Sequence, residues 1–323
     1  MAKLVNKVPF SLYPLDSRFV PAKPIQETPI SVIRELEKAG KLTITRKRDG
    51  YCHLISRAIS NIGIYTRSIE DTTARYPHIV EAMRALETKN TLLATEILCD
   101  KNGIDDFPAF TRIAKSNPDR AYRLQDQGGW ASCMVFDIIA RNGRMMTNEP
   151  FSNRLDALQD IFRRDSDELF LAPIVHALFE DAQKRVKAFQ WEGLVLYDND
   201  APTAYRCDGR TDAPVRPKGI WKWKPILEDD FFVEQFERGE GNRAAWMKEM
   251  YLLQVDPLTG KKIDCGKVGT GFTNAERQEF ASVQYPLVVQ VAFEKRFASG
   301  KLRSPRFLRL RDDKRSDECF LPL

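Results

Sequence analysis

Leu42-Thr43-Ile44-Thr45-Arg46-Lys47-Arg48-Asp49-Gly50-Tyr51-Cys52-His53-Leu54-Ile55-Ser56 alternates apolar and polar residues as far as Lys47, breaks at Arg48-Asp49-Gly50 and resumes as a second run. Alternation at period two reads as a half-buried strand, and Asp-Gly supplies turn chemistry. The stretch therefore predicts two strands joined by a turn, with Lys47 where the first strand enters it. Upstream, Thr28 as N-cap, Pro29 at the first helical position, apolar Ile30, Ile33 and Leu36, and Gly40 as terminator predict a helix. Downstream, strands are expected at Leu92 to Cys99, Cys133 to Ala140, Gly193 to Tyr197 and Ile220 to Lys224. Helical patterns fall near Tyr76 to Leu86, Asn153 to Phe162 and Leu178 to Phe189. This first part reads as a mixed α+β domain.

After Pro225 the character changes. Leu227-Glu228-Asp229-Asp230 reads as an acidic linker, followed by short strands and turns: a turn at Asp256-Pro257-Leu258-Thr259-Gly260, a strand at Pro286 to Phe293 and another at Phe307 to Arg311. Thr273 with Glu276 three residues on is a capping box that opens one helix. About a hundred residues of short strands plus one helix fits a small β-barrel of the OB type. The expected organisation is residues 1–226 as one domain and 227–323 as the other, in keeping with 323 residues in all.

A composition of 43% hydrophobic and 29% charged residues argues against disorder, collagen and coiled coil. No run of 18 apolar residues occurs, and Met1-Ala2-Lys3-Leu4-Val5-Asn6-Lys7 lacks the apolar core of a signal peptide, so a cytoplasmic protein is expected. The six cysteines (Cys52, Cys99, Cys133, Cys207, Cys265, Cys319) form no C-x-x-C pair and have only His53, His78 and His176 for company, which argues against zinc or a disulfide framework. Net charge is +5, yet Lys295 to Arg315 alone carries nine basic residues against Asp312 and Asp313. Such clustering suits phosphates or nucleic acid, or else a charge-protected edge strand.

Lys47-Arg48-Asp49-Gly50 alone is an ordinary turn with an exposed Lys; its company changes the reading. In order follow Thr66-Arg67-Ser68, Thr95-Glu96-Ile97, Val135-Phe136-Asp137-Ile138, Glu192-Gly193-Leu194-Val195, Trp221-Lys222-Trp223-Lys224 and Arg303-Ser304-Pro305-Arg306-Phe307-Leu308-Arg309-Leu310-Arg311-Asp312-Asp313-Lys314. From Lys47 to Lys314 the sequence resembles the covalent lysine nucleotidyltransferases, and within them the ATP-dependent DNA ligases. The resemblance implies a nucleotidyltransferase (ATP-grasp-like) core of antiparallel sheets and helices followed by an OB-fold barrel. It implies sealing of 5′-phosphate/3′-hydroxyl nicks in duplex DNA through lysyl-AMP and DNA-adenylate, with ATP as AMP donor in place of NAD⁺, and with Mg²⁺ or Mn²⁺.

Lys47 then inherits the nucleophile role. A Lys amine of ordinary pKa is almost wholly protonated at neutral pH, so it must be desolvated or set beside other cations. Lys222 and Lys224, two apart on a predicted strand, are expected on one face to do this and to contact the phosphates, with Trp221 and Trp223 anchoring the core. The resemblance assigns Glu192 to the metal, Glu96 to the AMP ribose, Phe136 to stacking on adenine, Thr45 to a backbone contact with the adenine amino group, and Asp49 to orienting the nucleotide. Arg67 is assigned to the nucleotide ribose or the nick 5′-phosphate. Arg311, Asp313 and Lys314 are assigned to pyrophosphate in a segment that closes over the nucleotide, where an extended chain would put Arg309, Arg311 and Asp313 on one face. Arg303, Arg306 and Arg309 are expected to track the DNA backbone.

The family pattern K-x-D-G-x-R has Cys52 in place of its arginine here, leaving Arg48 as the candidate phosphate contact, and Tyr197 stands where a basic residue often follows the E-G strand. Two rivals remain at this point: an RNA ligase or RNA-capping nucleotidyltransferase, and a catalytically silent nucleic-acid-binding protein of OB type. The partner expected is nicked duplex DNA, with no membrane. A monomeric enzyme is expected, in the nucleoid or in the cytoplasm of a virus-infected host, and the Arg238 to Met250 segment is a candidate for gripping DNA.

Overall fold

The structure is a computed structural model that describes residues 28–59, 61–67, 70–163, 166–202, 218–297 and 299–322. Cys207, Ser68 and the first seven residues singled out above lie outside these. The chain divides into two compact units, Met1–Trp223 and Lys224–Leu323.

In the first unit the elements run α1 (Ile30–Lys38), β1 (Leu42–Lys47), β2 (Tyr51–Arg57), β3 (Ile62–Thr66), α2 (Pro77–Ala85), β4 (Thr91–Leu98), β5 (Asp100–Lys101), β6 (Ile104–Asp105), α3 (Phe107–Ala114) and α4 (Pro118–Gly128). They continue with β7 (Ser132–Arg141), β8 (Arg144–Met145), α5 (Phe151–Ile161), β9 (Leu169–Leu171), α6 (Phe179–Ala188), β10 (Gly193–Asp198) and β11 (Ile220–Trp223). β1, β10 and β11 make one antiparallel sheet. β3, β2, β4, β7 and β8 make another, with β9 parallel to β7. The chain therefore changes sheets at the Arg48-Asp49-Gly50 turn: β1 belongs to one sheet and β2 to the other.

Each sheet buries a face against helices. Ile33 of α1 and Phe179, Ala182 and Val186 of α6 pack with Ile44, Leu194, Leu196 and Trp221 on the first sheet, and Trp223 joins that cluster half-buried. Ile79 and Met83 of α2, Phe110 and Ile113 of α3, Ala121 of α4 and Leu158 and Ile161 of α5 pack with Ile55, Leu93, Ile97, Val135 and Ile138 on the second. α5 is also fastened by Arg154, wholly buried, whose Nε and Nη2 reach the Asp137 carboxylate at 2.7 and 3.2 Å. Two sequence readings need correcting. α1 starts at Ile30 with Pro29 as its cap, while the Thr28 hydroxyl instead donates to the Lys222 carbonyl at 3.3 Å. α3 and α4 were not foreseen, although Asp106 and Asn117 cap them through side-chain bonds to Ala109 and Arg120 N–H.

The second unit holds β12 (Leu227–Val233), β13 (Phe236–Arg238), β14 (Met247–Val255), β15 (Lys262–Val268), α7 (Asn274–Glu279), β16 (Leu287–Phe293), β17 (Lys295–Arg296), β18 (Leu302–Arg303) and β19 (Arg306–Leu310). The pairing order is β13-β14-β12-β16-β19, with β15 on the other side of β14, and among the described residues no pairing closes that path. Phe231, Val233, Met250, Leu252, Val289, Val291 and Phe307 form its core. The Thr273–Glu276 capping box is formed as read, opening α7. The acidic stretch expected as a linker is instead strand: β12 pairs with β16 from Leu227 opposite Phe293 to Val233 opposite Leu287. Acidic side chains are tolerated there because they are matched, Asp229 by Arg296 at 2.9 Å and Asp230 by Arg311 and Lys314.

Candidate functional site

Lys47 ends β1 opposite Gly193, so the residue before β10, Glu192, stands beside it, and Lys47 Nζ lies 2.5 Å from Glu192 Oε2. Across the sheet change, Gly50 N–H donates to Glu96 Oε1 at 3.2 Å, which draws β4 up against the turn. Gly50 is required by that approach: a Cβ there would stand 2.1 Å from the Ile97 carbonyl oxygen. On β4 and β7 the interior positions are buried except Glu96 and Phe136, which are half-buried. Cys52, opposite Glu96 on β2, is half-buried as well. These residues alternate with the helix-packed Ile97 and Val135, so they lie on the other face of the sheet, where Glu96 and Cys52 feel the charge of Lys47.

Burial by itself would lower the Lys47 pKa, but the carboxylates of Glu192, Glu96 and Asp49 outweigh it and hold the amine above its ordinary value. Burial pushes Glu96 up to about 7, with the Lys47 ammonium pulling the other way. Desolvation, one of the two expected ways of activating Lys47, is thus present, and the charged groups acting on it most strongly are the carboxylates of Glu192, Glu96 and Asp49. Lys222 lies on β11 opposite Val195. β11 ends at Trp223, so the expected shared strand face with Lys224 does not extend to that residue, and Lys224 Nζ pairs with Glu294 at 2.7 Å within the second unit.

Thr45 is buried, opposite Val195 and bridged to Ile174. Tyr197 is buried on Phe151, rings stacked 4.0 Å apart, which explains why no basic residue stands there. Arg67, just past β3, is half-buried, and its Nε has no hydrogen-bond partner among the described residues. It acts on the Cys52 thiol, which burial and Glu96 together push up to about 12. Arg48 is not a free phosphate contact: its Nε donates to Asp105 Oδ1 and its Nη2 to Asp100 Oδ2, each at 2.6 Å. Asp49 is buried, with its N–H donating to Asp105 Oδ2 at 3.0 Å.

A profile of the ATP dependent DNA ligase domain matches residues 22–212, more than half of the chain. The chain belongs to the ATP-dependent DNA ligase family. Among its relatives are a DNA ligase of Thermococcus onnurineus, 25% identical over 329 residues, and DNA ligase B of Mycobacterium tuberculosis, 33% identical over 258. These alignments take in 93% and 78% of this chain and 57% and 48% of those proteins, so the chain spans about half the length of the relatives it matches. Among solved structures it is similar in fold to a Lig E DNA ligase (TM-score 0.64, 16% identity, 90% of this chain and 99% of that one). The ligase domain of M. tuberculosis LigD is also similar (TM-score 0.52, 18% identity, 94% and 98%). The mixed α/β fold of this ligase-family chain is that of such nucleotidyltransferase domains.

The residues assigned in the second unit sit in a carboxylate network. The Arg311 fork holds Asp313, Nε to Oδ1 at 2.7 Å and Nη2 to Oδ2 at 2.9 Å, while Nη1 meets both Asp230 oxygens at 3.0 and 2.8 Å. Lys314 Nζ shares Asp230 Oδ2 at 2.9 Å. β19 ends at Leu310 and the chain turns at Asp312 and Asp313, so the expected common face of Arg309, Arg311 and Asp313 is replaced by this turn. Arg306 and Arg309 are exposed on β19, where Arg309 Nε donates to Gln290 Oε1 at 2.8 Å. Arg303 lies 3.7 Å from Glu294. Much of the basic excess is thus matched internally, which composition could not reveal. Sequence reasoning also passed over Asp105 and Asp100, and nothing in a two-residue β-hairpin strand marks them out.

Proposed function

We propose that this ligase-family chain is an ATP-dependent DNA ligase that seals nicks in duplex DNA, with residues 1–226 as adenylation domain and 227–323 as an OB-fold domain. The observation that carries the reading is the Lys47 amine, at the junction of two sheets, 2.5 Å from Glu192 and with Glu96 behind its turn. Lys47 Nζ attacks the α-phosphorus of ATP; the N–P bond forms as the bond to the bridging oxygen breaks, and pyrophosphate leaves with that electron pair. AMP then passes to the 5′-phosphate of the nick, and the 3′-hydroxyl displaces it to form the phosphodiester.

Among the described residues no cluster of three or more His, Cys, Asp or Glu is built to hold a metal ion. Mg²⁺ needs no such cage when one or two carboxylates and substrate phosphates complete its shell, so the Glu192 carboxylate fits it. When bound, Mg²⁺ or Mn²⁺ would neutralise phosphate charge. The chain's own contribution is burial: once the carboxylate charge around Lys47 is offset, desolvation favours the neutral, nucleophilic amine. Glu96 takes the ribose, Phe136 the adenine face, Thr45 the adenine edge through its backbone, and Asp49 orients the nucleotide. Arg67, Lys222 and Lys224 meet the nucleotide phosphates and ribose, and Arg67 also the nick 5′-phosphate. Arg311, Asp313 and Lys314 serve pyrophosphate departure, and Arg303, Arg306 and Arg309 the DNA backbone. The protein works as an intracellular monomer.

The test is intact mass after incubation with ATP and Mg²⁺, followed by sealing of a 5′-phosphorylated nicked DNA duplex beside the same nick in RNA. Addition of one AMP that Lys47→Ala abolishes, with DNA sealed and NAD⁺ unable to replace ATP, is the expected result. Adenylylation with sealing of RNA alone would move the substrate, and no AMP on the wild type would remove the reading altogether.

A further inference from the structure

The turn that presents Lys47 has one carboxylate, Asp105, at its centre, besides the Arg48–Asp100 and Gly50–Glu96 contacts. Asp105, on β6 of the short β5–β6 hairpin, accepts from Arg48 Nε at 2.6 Å and Arg46 Nη2 at 3.3 Å on Oδ1, and from Asp49 N–H at 3.0 Å on Oδ2. Of residues 46 to 49, three are thus fastened to one side chain, while the fourth, Lys47, points to Glu192. The clamp is dry: side-chain exposure is 5% for Asp105 and 8% for Arg48. The hairpin is fixed in turn. Arg46 Nη2 donates to the Gly103 carbonyl at 2.9 Å, Asp106 N–H to the Cys99 carbonyl at 2.8 Å, and Asp106 caps α3. The Arg46 guanidinium also lies over the ring of Trp191, the residue before Glu192, so the same carboxylate steadies both sides of the Lys47–Glu192 contact.

We propose that Asp105 is a positioning residue for the nucleophile, holding the 46–49 turn so that Lys47 Nζ is aimed at the α-phosphate. The assignment rests on the ligase reading above. Because two arginines and the Asp100 and Asp105 carboxylates balance one another, the network adds no net charge beside the reacting phosphates. Its work is geometric, and a displacement of about 1 Å at a reacting centre costs on the order of 100-fold in rate.

The test compares wild type, Asp105→Asn, Asp105→Glu and the double variant Arg48→Gln/Asp105→Asn, which leaves no buried Arg48 charge unpaired. Three readouts are taken on the full chain: single-turnover AMP uptake across ATP concentrations, sealing of a nick that already carries AMP on its 5′-phosphate, and thermal unfolding. Lys47 is the nucleophile in the first and not in the second. We expect Asp105→Asn and the double variant to lower the rate of AMP uptake at saturating ATP by about 10- to 100-fold, with the half-saturating ATP concentration within about twofold and sealing of the pre-adenylylated nick within about threefold of wild type. Asp105→Glu should recover part of the rate. Wild-type AMP uptake by both the single and the double variant, or equal losses in the two chemical readouts, would overturn the assignment. A wild-type chain that takes up no AMP would overturn the ligase reading, and this role with it.

Discussion

Asp105 in the first unit and Asp230 in the second do the same thing in different surroundings. Each binds two basic side chains, Arg46 and Arg48 in one case, Arg311 and Lys314 in the other. Around Asp105 the cations are 12% and 8% exposed; around Asp230 they are 17% and 26%. Arg48 keeps its donors in a dry pocket, so releasing it would strand a charge. Lys314 offers one bond to Asp230 and keeps further N–H groups for water or a phosphate. We take the first cluster as scaffold and the second as exchangeable, on the greater exposure of the second pair of cations and on the lysine that stands there for an arginine.

If the first corner is rigid, altering its backbone should have the largest effect. Gly50→Ala must push a Cβ into the Ile97 carbonyl, and we expect a loss of about 3 kcal/mol or more, read as a fall in Tm on the order of 10 °C together with loss of AMP uptake. Retention of Tm within a degree would show the turn to be pliable and break the comparison. Next comes the carboxylate in the same corner. Glu96 is raised to about 7 in the folded protein, so its ionisation opposes folding: the penalty is absent below the ordinary carboxylate pKa near 4.5, grows between there and about 7, and is fully present above. Glu96→Gln should therefore stabilise the protein relative to wild type by about 1–2 kcal/mol at pH 8 and by almost nothing at pH 4.5, measured as Tm against pH. A difference independent of pH would mean that Lys47 already offsets the charge.

The smallest effect belongs to the exchangeable corner. Asp230→Asn should cost only about 1 kcal/mol in stability while freeing Arg311 and Lys314 to bind polyanions. Binding of a nicked duplex should tighten about threefold at low salt and return to the wild-type value as salt approaches roughly 0.5 M. Weaker binding at every salt concentration would show that the two cations need Asp230 to hold them in place, and the two corners would then be alike.

Local signals carried the first corner. The alternation ending at Lys47 and the Arg48-Asp49-Gly50 break put Lys47 at a strand end, and Glu96 is conspicuous as an acid in an apolar run. Asp106-Phe107-Pro108 and Asn117-Pro118 are equally local helix starts, for α3 and α4. Other features had no local signal. β12 looked like a linker because its acids are matched by Arg296, Arg311 and Lys314, between 67 and 84 residues further on. Arg48 read as a spare cation because Asp100 and Asp105 lie more than 50 positions away. Charge pairing at that separation is set by the sheet, and a sequence records only that the charges exist.

The thiol of Cys52 stands where the family pattern would place an arginine, on the open face of the second sheet. Burial and Glu96 raise the thiol, so at neutral pH it is held in the protonated form, while thiolate is the form that peroxides and electrophiles attack. The substitution therefore puts a sulfur atom on that sheet face without making it oxidant-sensitive. An alkylating reagent at neutral pH should leave Cys52 unlabelled in the folded protein.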